Sequence, residues 1–282
     1  MKKVVLGGMT LVVCALGSPA LAADLPAEPA YSSPLIVPRY DWTGFYIGVN
    51  AGYSWGQSAA AFNLAGFPPS SGTHIMNGWV AGGQAGVNWQ FNGNLVAGLE
   101  ADFQAARQDG TINYTAGPLC ATSGTVLITT TCTTGSASLE QRLPWFATVR
   151  GRLGVVLVPH WMIYATGGVA YGEIDDTVSI TTNTTTSQSV LGFPLGTTTT
   201  SAIAFAVANN RRAGWVAGGG IEYVLSGPWT AKLEYLFVDY GTFSSTYTLA
   251  GVPMLTLSSH VRDNIVRVGL NYRFGEPVVA KY

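Results

Sequence analysis

The sequence predicts an eight-stranded antiparallel, up-and-down transmembrane β-barrel, and three observations lead to this fold class. Apolar residues alternate with small or polar residues in eight segments, which is the pattern of a β-strand with two different faces. The connections between these segments are alternately short and long. The tryptophans fall near the segment ends, where amphipathic aromatic side chains favour a boundary between water and lipid.

The chain begins with a segment typical of a secretory signal peptide. Two lysines precede an apolar run over residues 4–16, and Ala20-Leu21-Ala22 supplies the small residues of a cleavage site. We therefore expect residues 1–22 to be removed before Ala23. The alternative is a retained anchor helix, but the apolar run is shorter than the roughly 20 residues that cross a bilayer.

The composition favours a surface in lipid and gives no support for nucleic-acid binding. Only 10% of the residues are charged, while 48% are hydrophobic. Loss of two lysines with the signal peptide changes the net charge from −1 to −3. Residues 23–41 are rich in proline and predict an extended periplasmic arm, residues 42–274 form the predicted barrel, and residues 275–282 are a short tail.

Each predicted strand has one apolar face and one small or polar face. In the first strand, Phe45, Ile47 and Val49 share the apolar face, while Tyr46 and Asn50 lie on the other. The same alternation places the eight strands at residues 43–55, 78–91, 94–104, 144–156, 161–172, 214–225, 229–237 and 261–274.

The connections separate the two sides of the membrane. Tight turns near residues 93, 159 and 227 alternate with long connections rich in Thr, Ser and Gly, which we expect to be surface loops. This arrangement puts both termini in the periplasm. An alternative with ten strands would use part of residues 173–213. The long connections are residues 56–77, 105–143, 173–213 and 239–260.

The tryptophans predict two aromatic girdles. A soluble β-sandwich, which is the alternative fold, has no reason to sort its tryptophans to two rims. The outer rim is expected to hold Trp55, Trp79, Trp145 and Trp215, and the inner rim Trp42, Trp89, Trp161 and Trp229.

Charged residues on the inward faces predict a charge network in the lumen. Eight strands enclose an interior that side chains just fill, so these charges must pair with one another or meet trapped water. The structural interpretation is a packed polar core, and the functional one is a narrow ion path with exchanging salt bridges. The predicted network consists of Glu100, Asp102, Arg150, Arg152, Glu222, Lys232, Glu234, Arg267 and Arg273.

Two cysteines of the exported chain, Cys120 and Cys132, lie in one predicted loop. We expect them to form a disulfide, because an exported protein meets an oxidising compartment. Two free buried thiols are the alternative. The spacing excludes a CxxC metal knuckle.

Enzyme motifs are weak in this sequence. His74 or His260 could act with Ser70, Ser71 or Asp263 at the outer rim, but no pattern relates their positions. Metal-ligand spacings and phosphate loops are missing from the sequence. We therefore expect neither a catalytic site, a cofactor nor a metal.

Two segments resemble a known family. Residues 40–53 (YDWTGFYIGVNAGY) and 266–274 (VRVGLNYRF) are similar to the outer-membrane immunogenic proteins of alpha-proteobacteria. These belong to the porin-family small barrels, which share the eight-stranded barrel of the outer membrane protein A transmembrane domain. The resemblance implies a surface-exposed protein of the cell outer membrane. Tyr272 and Phe274 resemble the terminal signal read by the barrel-assembly machinery, although the chain continues beyond them.

The combined interpretation is a structural outer-membrane barrel that supports envelope integrity and exposes four loops. Its expected partners are outer-membrane lipid and lipopolysaccharide, with periplasmic chaperones and the barrel-assembly machinery during biogenesis. The sequence does not specify a ligand for the loops. A narrow, low-conductance channel is the main alternative, and an outer-membrane enzyme with a loop site is a distant one.

Overall fold

The computed structural model describes residues 40–249 and 252–274. The predicted signal peptide, most of the periplasmic arm and the tail at 275–282 lie outside these residues. Within the described ranges, no helix is long and apolar enough to cross a membrane. The strands are β1 (Gly44–Leu64), β2 (Ser70–Phe91), β3 (Leu95–Ser123), β4 (Leu127–Val158), β5 (Trp161–Val190), β6 (Phe193–Ser226), β7 (Trp229–Leu249) and β8 (Val252–Phe274).

The eight strands form a closed antiparallel barrel in chain order. The first and last strands close the ring, with Phe45 opposite Phe274 and Tyr53 opposite Val266. Alternate side chains face lipid and lumen, so Phe45 is exposed while its neighbour Tyr46 is buried. The predicted fold class is therefore confirmed. The ten-strand alternative is wrong, because residues 173–213 continue β5 and β6.

The strands are much longer than the sequence analysis predicted. The expected loops at 56–77, 105–143 and 173–213 are largely strand, and the turns at their tips span only residues 65–69, 124–126 and 191–192. Alternating, threonine-rich segments fit a pleated surface well, so they extend the hairpins instead of forming irregular loops. The barrel therefore continues well outside the membrane.

Above the membrane the wall divides into two four-stranded sheets. Pairing between β2 and β3 stops at Asn77 opposite Asp109, and pairing between β6 and β7 stops at Trp215 opposite Asp239. We call β7–β8–β1–β2 the short sheet and β3–β4–β5–β6 the tall sheet, because their strands contain 21–23 and 29–34 residues respectively.

The two sheets pack face to face through an apolar cluster. Phe62, Leu64 and Leu257 of the short sheet meet Leu139 and Ile180 of the tall sheet in this cluster. A Cβ atom on Gly135 of the tall sheet would lie 2.8 Å from Phe67, which follows β1 at the tip of the short sheet. Beyond this level none of the residues at 40–249 and 252–274 forms an opposite layer for the tall sheet, and we call this part the overhang.

Candidate functional site: the barrel lumen

The predicted inward charges meet in the membrane-spanning part of the lumen. Arg150 on β4 donates to Asp102 Oδ2 at 2.8 Å, to Glu234 Oε1 at 3.1 Å and to Glu100. These partners lie on β3 and β7, so one guanidinium joins strands that are not neighbours in the wall. The period-two alternation of each strand points all four side chains inward.

A second cation, Arg267 on β8, completes the centre of the network. Its guanidinium donates to Glu234 Oε2 at 2.7 Å and to Asp102 Oδ2 at 2.9 Å. Lys232 donates to both carboxylate oxygens of Glu100 at 2.9 Å. The arginines and carboxylates are buried, and their mutual ion pairs and hydrogen bonds offset much of the desolvation of these charges, while Arg267 Nη1 has no partner among the described residues.

Arg152 and Glu222 form the lower part of the network, with 2.6 Å between Arg152 Nη2 and Glu222 Oε2. Thr230 and Asn271 also donate to Glu222, at 2.6 and 2.9 Å. The network thus balances four cations, Arg150, Arg152, Lys232 and Arg267, against four carboxylates, Glu100, Asp102, Glu222 and Glu234.

Arg273 does not belong to this network, contrary to the expectation from sequence. Its guanidinium lies 4.2 Å from the ring centroid of Tyr40 and donates to the carbonyl oxygen of Thr43 at 3.2 Å. No carboxylate pairs with it among the described residues. Arg273 is inward-facing but sits near the end of β8, below the layer that holds the carboxylates.

Two tyrosines also belong to the charge network, although the sequence did not predict them there. Tyr46 donates to Glu100 Oε2 at 2.7 Å, and Tyr164 donates to Glu234 Oε1 at 3.0 Å. The Arg152 guanidinium lies 4.2 Å from the Tyr164 ring centroid. The alternation places Tyr46 on the inward face, but the shear of the closed barrel decides which layer it reaches.

Trp42 closes the lumen below the charge network. Only 1% of its surface is exposed, and it packs in an apolar cluster with Val96, Met162 and Val224. Its backbone N–H donates to Gln90 Oε1 at 2.7 Å. The prediction that Trp42 belongs to the inner girdle is therefore wrong. Trp42 precedes β1, so the strand alternation does not govern its direction.

An apolar layer closes the lumen above the charge network. Phe146, Val216, Leu236 and Ile265 come from β4, β6, β7 and β8 and are all almost completely buried in one cluster with Val80 of β2. We expected small or polar residues at inward positions, and this layer differs from that expectation. The sequence pattern that indicates this layer is a set of large apolar residues at inward positions just beyond the charged ones.

A polar ring lies higher in the lumen, outside the membrane. Gln141 Nε2 donates to Asp176 Oδ1 at 2.7 Å and Asn210 Nδ2 to Asp176 Oδ2 at 3.0 Å. Gln141 Nε2 also lies 3.3 Å from Ser259 Oγ, and Gln141 Oε1 accepts from Ser58 at 2.5 Å. Burial without a cation raises the pKa of Asp176 to about 6.

Seven of the eight tryptophans lie on the outer surface near the two rims. At the outer rim, Trp79 packs against Tyr53 at 5.5 Å between ring centroids and Trp215 against Phe237 at 5.3 Å. At the inner rim, Trp229 packs against Tyr272 at 5.1 Å. The outward set comprises Trp55, Trp79, Trp89, Trp145, Trp161, Trp215 and Trp229, together with Tyr272 and Phe274 of β8.

The cysteines and three of the suggested catalytic residues, His260, Ser70 and Ser71, lie in the strand extensions above the outer tryptophan rim. Cys120 on β3 and Cys132 on β4 are directly opposite and form a disulfide in the overhang. His260 lies 3.0 Å from Asp239 and 3.2 Å from Thr242, and the structure records no contact with Ser70 or Ser71 among the described residues.

The other two suggested catalytic residues face the lumen. His74 is buried, and burial lowers its pKa. Asp263 accepts hydrogen bonds from Ser54 and, at 2.9 Å, from Gln108. The suggested combinations of histidine with Ser70, Ser71 or Asp263 are therefore not brought together. In the part of the chain that the structure describes, no group of three or more His, Cys, Asp or Glu residues could hold a metal ion.

A closed barrel with an apolar outer surface between two aromatic rims defines a β-barrel protein of the outer membrane. The chain belongs to the family described as outer membrane protein beta-barrel domain, which it matches over residues 10–274. The predicted family resemblance and outer-membrane localisation are both confirmed.

The curated relatives include proteins of Brucella and Rhizobium. The 31 kDa outer-membrane immunogenic protein of Brucella melitensis biotype 1 is 32% identical over 282 residues, covering 97% of this chain and 100% of the relative. The 22 kDa outer membrane protein of Rhizobium leguminosarum bv. viciae is 25% identical, covering 90% and 83%. The solved structure of OprG from Pseudomonas aeruginosa is 13% identical with a TM-score of 0.37, covering 83% and 99%.

Proposed function

We propose that the protein is a closed structural barrel that contributes to envelope integrity and presents long β-hairpins at the cell surface. The observation that carries this proposal is the sequence of layers in the lumen. Trp42 lies below the charge network, Phe146 and Leu236 lie above it, and a second apolar cluster follows outside the membrane. Water and ions have to cross three apolar layers, which is unfavourable for both.

The charge network supports the same proposal. Four cations and four carboxylates balance, and their side chains are buried. A fixed, neutral network offers no excess charge to attract a permeating ion, and removing one partner leaves an unpaired buried charge. These contacts therefore favour a stabilising core over a permeation path.

Conductance of purified protein in planar bilayers tests the closed lumen. We expect no unitary current steps from the wild-type protein or from Arg150→Glu. Arg107→Glu is the matched control, because Arg107 is exposed on the outer face and carries the same charge change. The gel shift on boiling shows whether each variant has formed a barrel. Wild-type current steps that Arg150→Glu alters and Arg107→Glu does not would replace this proposal with a channel.

The alternative of a narrow, low-conductance channel rests on one observation. Arg150 and Arg267 share Asp102 and Glu234, so each guanidinium has a second carboxylate within reach. Exchange between these partners could open a path only if the Phe146 layer also separated. The bilayer experiment distinguishes the two functions directly.

Envelope integrity and biogenesis need tests in cells. A deletion strain is expected to admit a dye that the intact outer membrane excludes, and the wild-type gene is expected to restore exclusion. We also propose export through the signal peptide of residues 1–22 and assembly through the outward aromatic pair Tyr272 and Phe274. Phe274→Ala is then expected to lower the barrel fraction in the membrane more than Phe45→Ala, its neighbour on β1.

A further inference from the structure

The tall sheet ends in an unpaired strand edge. Above Trp215, β5 is the only described strand that pairs with β6, and this pairing continues to Phe193 at the tip. Asn210 and Arg212 still reach β7, since Ser245 donates to Asn210 at 3.3 Å and the Arg212 guanidinium lies 4.8 Å from the Phe243 ring centroid. Beyond them, the edge of residues 196–208 that faces away from β5 presents backbone N–H and C=O groups, and no strand of the described residues pairs with it.

This edge lacks the usual protection against pairing. Edge strands commonly carry charges, prolines or bulges that stop another strand from adding. Residues 110–139 and 177–210 of the tall sheet contain no charged side chain. The other edge of the sheet, β3, is interrupted by Pro118 and by a register shift between Ala116 and Leu119. Residues 196–208 of β6 have neither feature.

An apolar stripe lies beside the free edge. Ile203, Phe205 and Val207 alternate along the outer face of β6 and are 62%, 75% and 68% exposed. Side chains of an added strand lie next to such residues and pack against them, and aromatic and β-branched pairs contribute most. The edge thus combines free backbone groups with exposed apolar side chains.

We propose that this edge pairs antiparallel with the same edge of a second copy in a facing membrane. A two-fold interface must be complementary to itself. An uncharged edge meets this condition, because two copies bring no like charges together. Residues 196–208 of the two β6 strands would join the two tall sheets into one continuous sheet.

The geometry of the barrel selects a facing membrane over the same membrane. Barrel strands tilt roughly 35–45° from the membrane normal. Two copies in one membrane are related by an axis along the normal, so their β6 edges would cross at about twice the tilt and could not pair. Two copies in facing membranes are instead related by a two-fold axis that lies parallel to the membranes and perpendicular to the sheet. This axis makes the two β6 edges antiparallel and collinear.

The length of β6 supports contact between membranes. From Trp215 at the outer rim to Phe193 at the tip, a rise of about 3.3 Å per residue gives a strand of roughly 70 Å. With the tilt included, the tip stands on the order of 50 Å above the rim. The free edge lies in the upper part of this length.

Clustering of proteoliposomes tests the proposal. Two vesicle populations without lipopolysaccharide, one with a donor dye and one with an acceptor dye, carry the wild-type protein. We expect energy transfer and growth in particle size at vesicle concentrations where protein-free vesicles stay separate. Ile203→Lys is expected to lower clustering at least tenfold, because the two-fold axis passes beside Ala202 and the two lysines then lie at neighbouring diagonal positions of the shared edge. Leu127→Lys is the matched control, since Leu127 is 45% exposed in the same overhang but begins β4, away from the β6 edge, where it pairs with Val190 of β5.

A charge exchange makes the test specific for edge-to-edge contact. Vesicles with Ile203→Lys and vesicles with Ile203→Glu are each expected to remain separate, and a mixture of the two is expected to cluster. The gel shift on boiling verifies that all variants form barrels. The proposal is overturned if wild-type vesicles stay dispersed, if Ile203→Lys clusters like the wild type, or if the mixture remains separate.

Discussion

Arg150 on β4 and Glu234 on β7 meet across the barrel lumen, with 3.1 Å between Arg150 Nη1 and Glu234 Oε1. Their strands are not adjacent in the wall, and 84 positions separate them in the chain. The contact therefore ties opposite sides of the ring together. It is a property of the closed barrel, and no isolated hairpin can form it.

Glu234→Gln is expected to destabilise the barrel by about 3–5 kcal/mol, because Arg150 and Arg267 lose a buried carboxylate. Urea titration followed by the loss of the heat-modifiable gel band measures this change. Glu140→Gln is the control, since its pair with Arg142 is largely exposed and contributes at most about 1 kcal/mol. If the two variants unfold at the same midpoint urea concentration, the charge network does not stabilise the barrel.

Trp42→Ala is expected to lower the free energy of unfolding by about 3–5 kcal/mol, because it leaves a cavity beneath the charge network. In the wild-type protein, Trp42 should also be shielded from a water-soluble fluorescence quencher. Trp89→Ala provides the comparison, since Trp89 is exposed on the outer surface at the inner rim. A smaller loss for Trp42→Ala than for Trp89→Ala would argue against the buried position.

The raised pKa of the buried Asp176 carboxyl predicts that the stability of the strand extensions around it depends on pH. Burial raises its pKa to about 6, above the value of about 3.9 in an unfolded chain. The folded state therefore holds the proton more tightly, so stability is greatest below about pH 4 and falls as the pH rises to about 6. The shift corresponds to about 2–3 kcal/mol.

Hydrogen exchange of amides in the upper parts of β4 and β5 measures this effect. After correction for intrinsic rates, we expect at least tenfold greater protection at pH 4.5 than at pH 7.5. Asp176→Asn should remove the difference, because the amide does not titrate; it keeps one acceptor oxygen and loses one of the two hydrogen bonds from Gln141 and Asn210. Asp109→Asn, on the exposed outer face, should leave it unchanged. A pH-independent wild type would refute the prediction.

Replacement of both Cys120 and Cys132 by serine is expected to loosen the tip of the β3–β4 hairpin without opening the barrel. The disulfide closes a loop with a sequence separation of 12, for which chain entropy gives a stabilisation of about 3 kcal/mol. Limited proteolysis should cut the variant near residues 124–126 much faster than the wild type. The heat-modifiable band should persist, and its loss would show that the disulfide supports the whole barrel.

Strand faces were predictable because neighbouring residues decide them. The period of two assigns Phe45 to lipid and Arg267 to the lumen without knowledge of any partner strand. The same local pattern, together with the short turns, predicted eight strands and a barrel that spans a membrane. The extracellular strand extensions were missed because threonine-rich segments have strand propensity and also the composition of loops.

The sequence by itself therefore determined the class of protein, the number of strands and the face of each inward charge. Tertiary structure decided where each inward side chain lies along the barrel axis. It thereby excluded Arg273 from the charge network and buried Trp42. It also decided that β6 ends in a free edge. The physical reason is that the position of a side chain along the barrel axis depends on strand stagger and ring closure. These bring together residues as distant in the chain as Arg150 and Glu234.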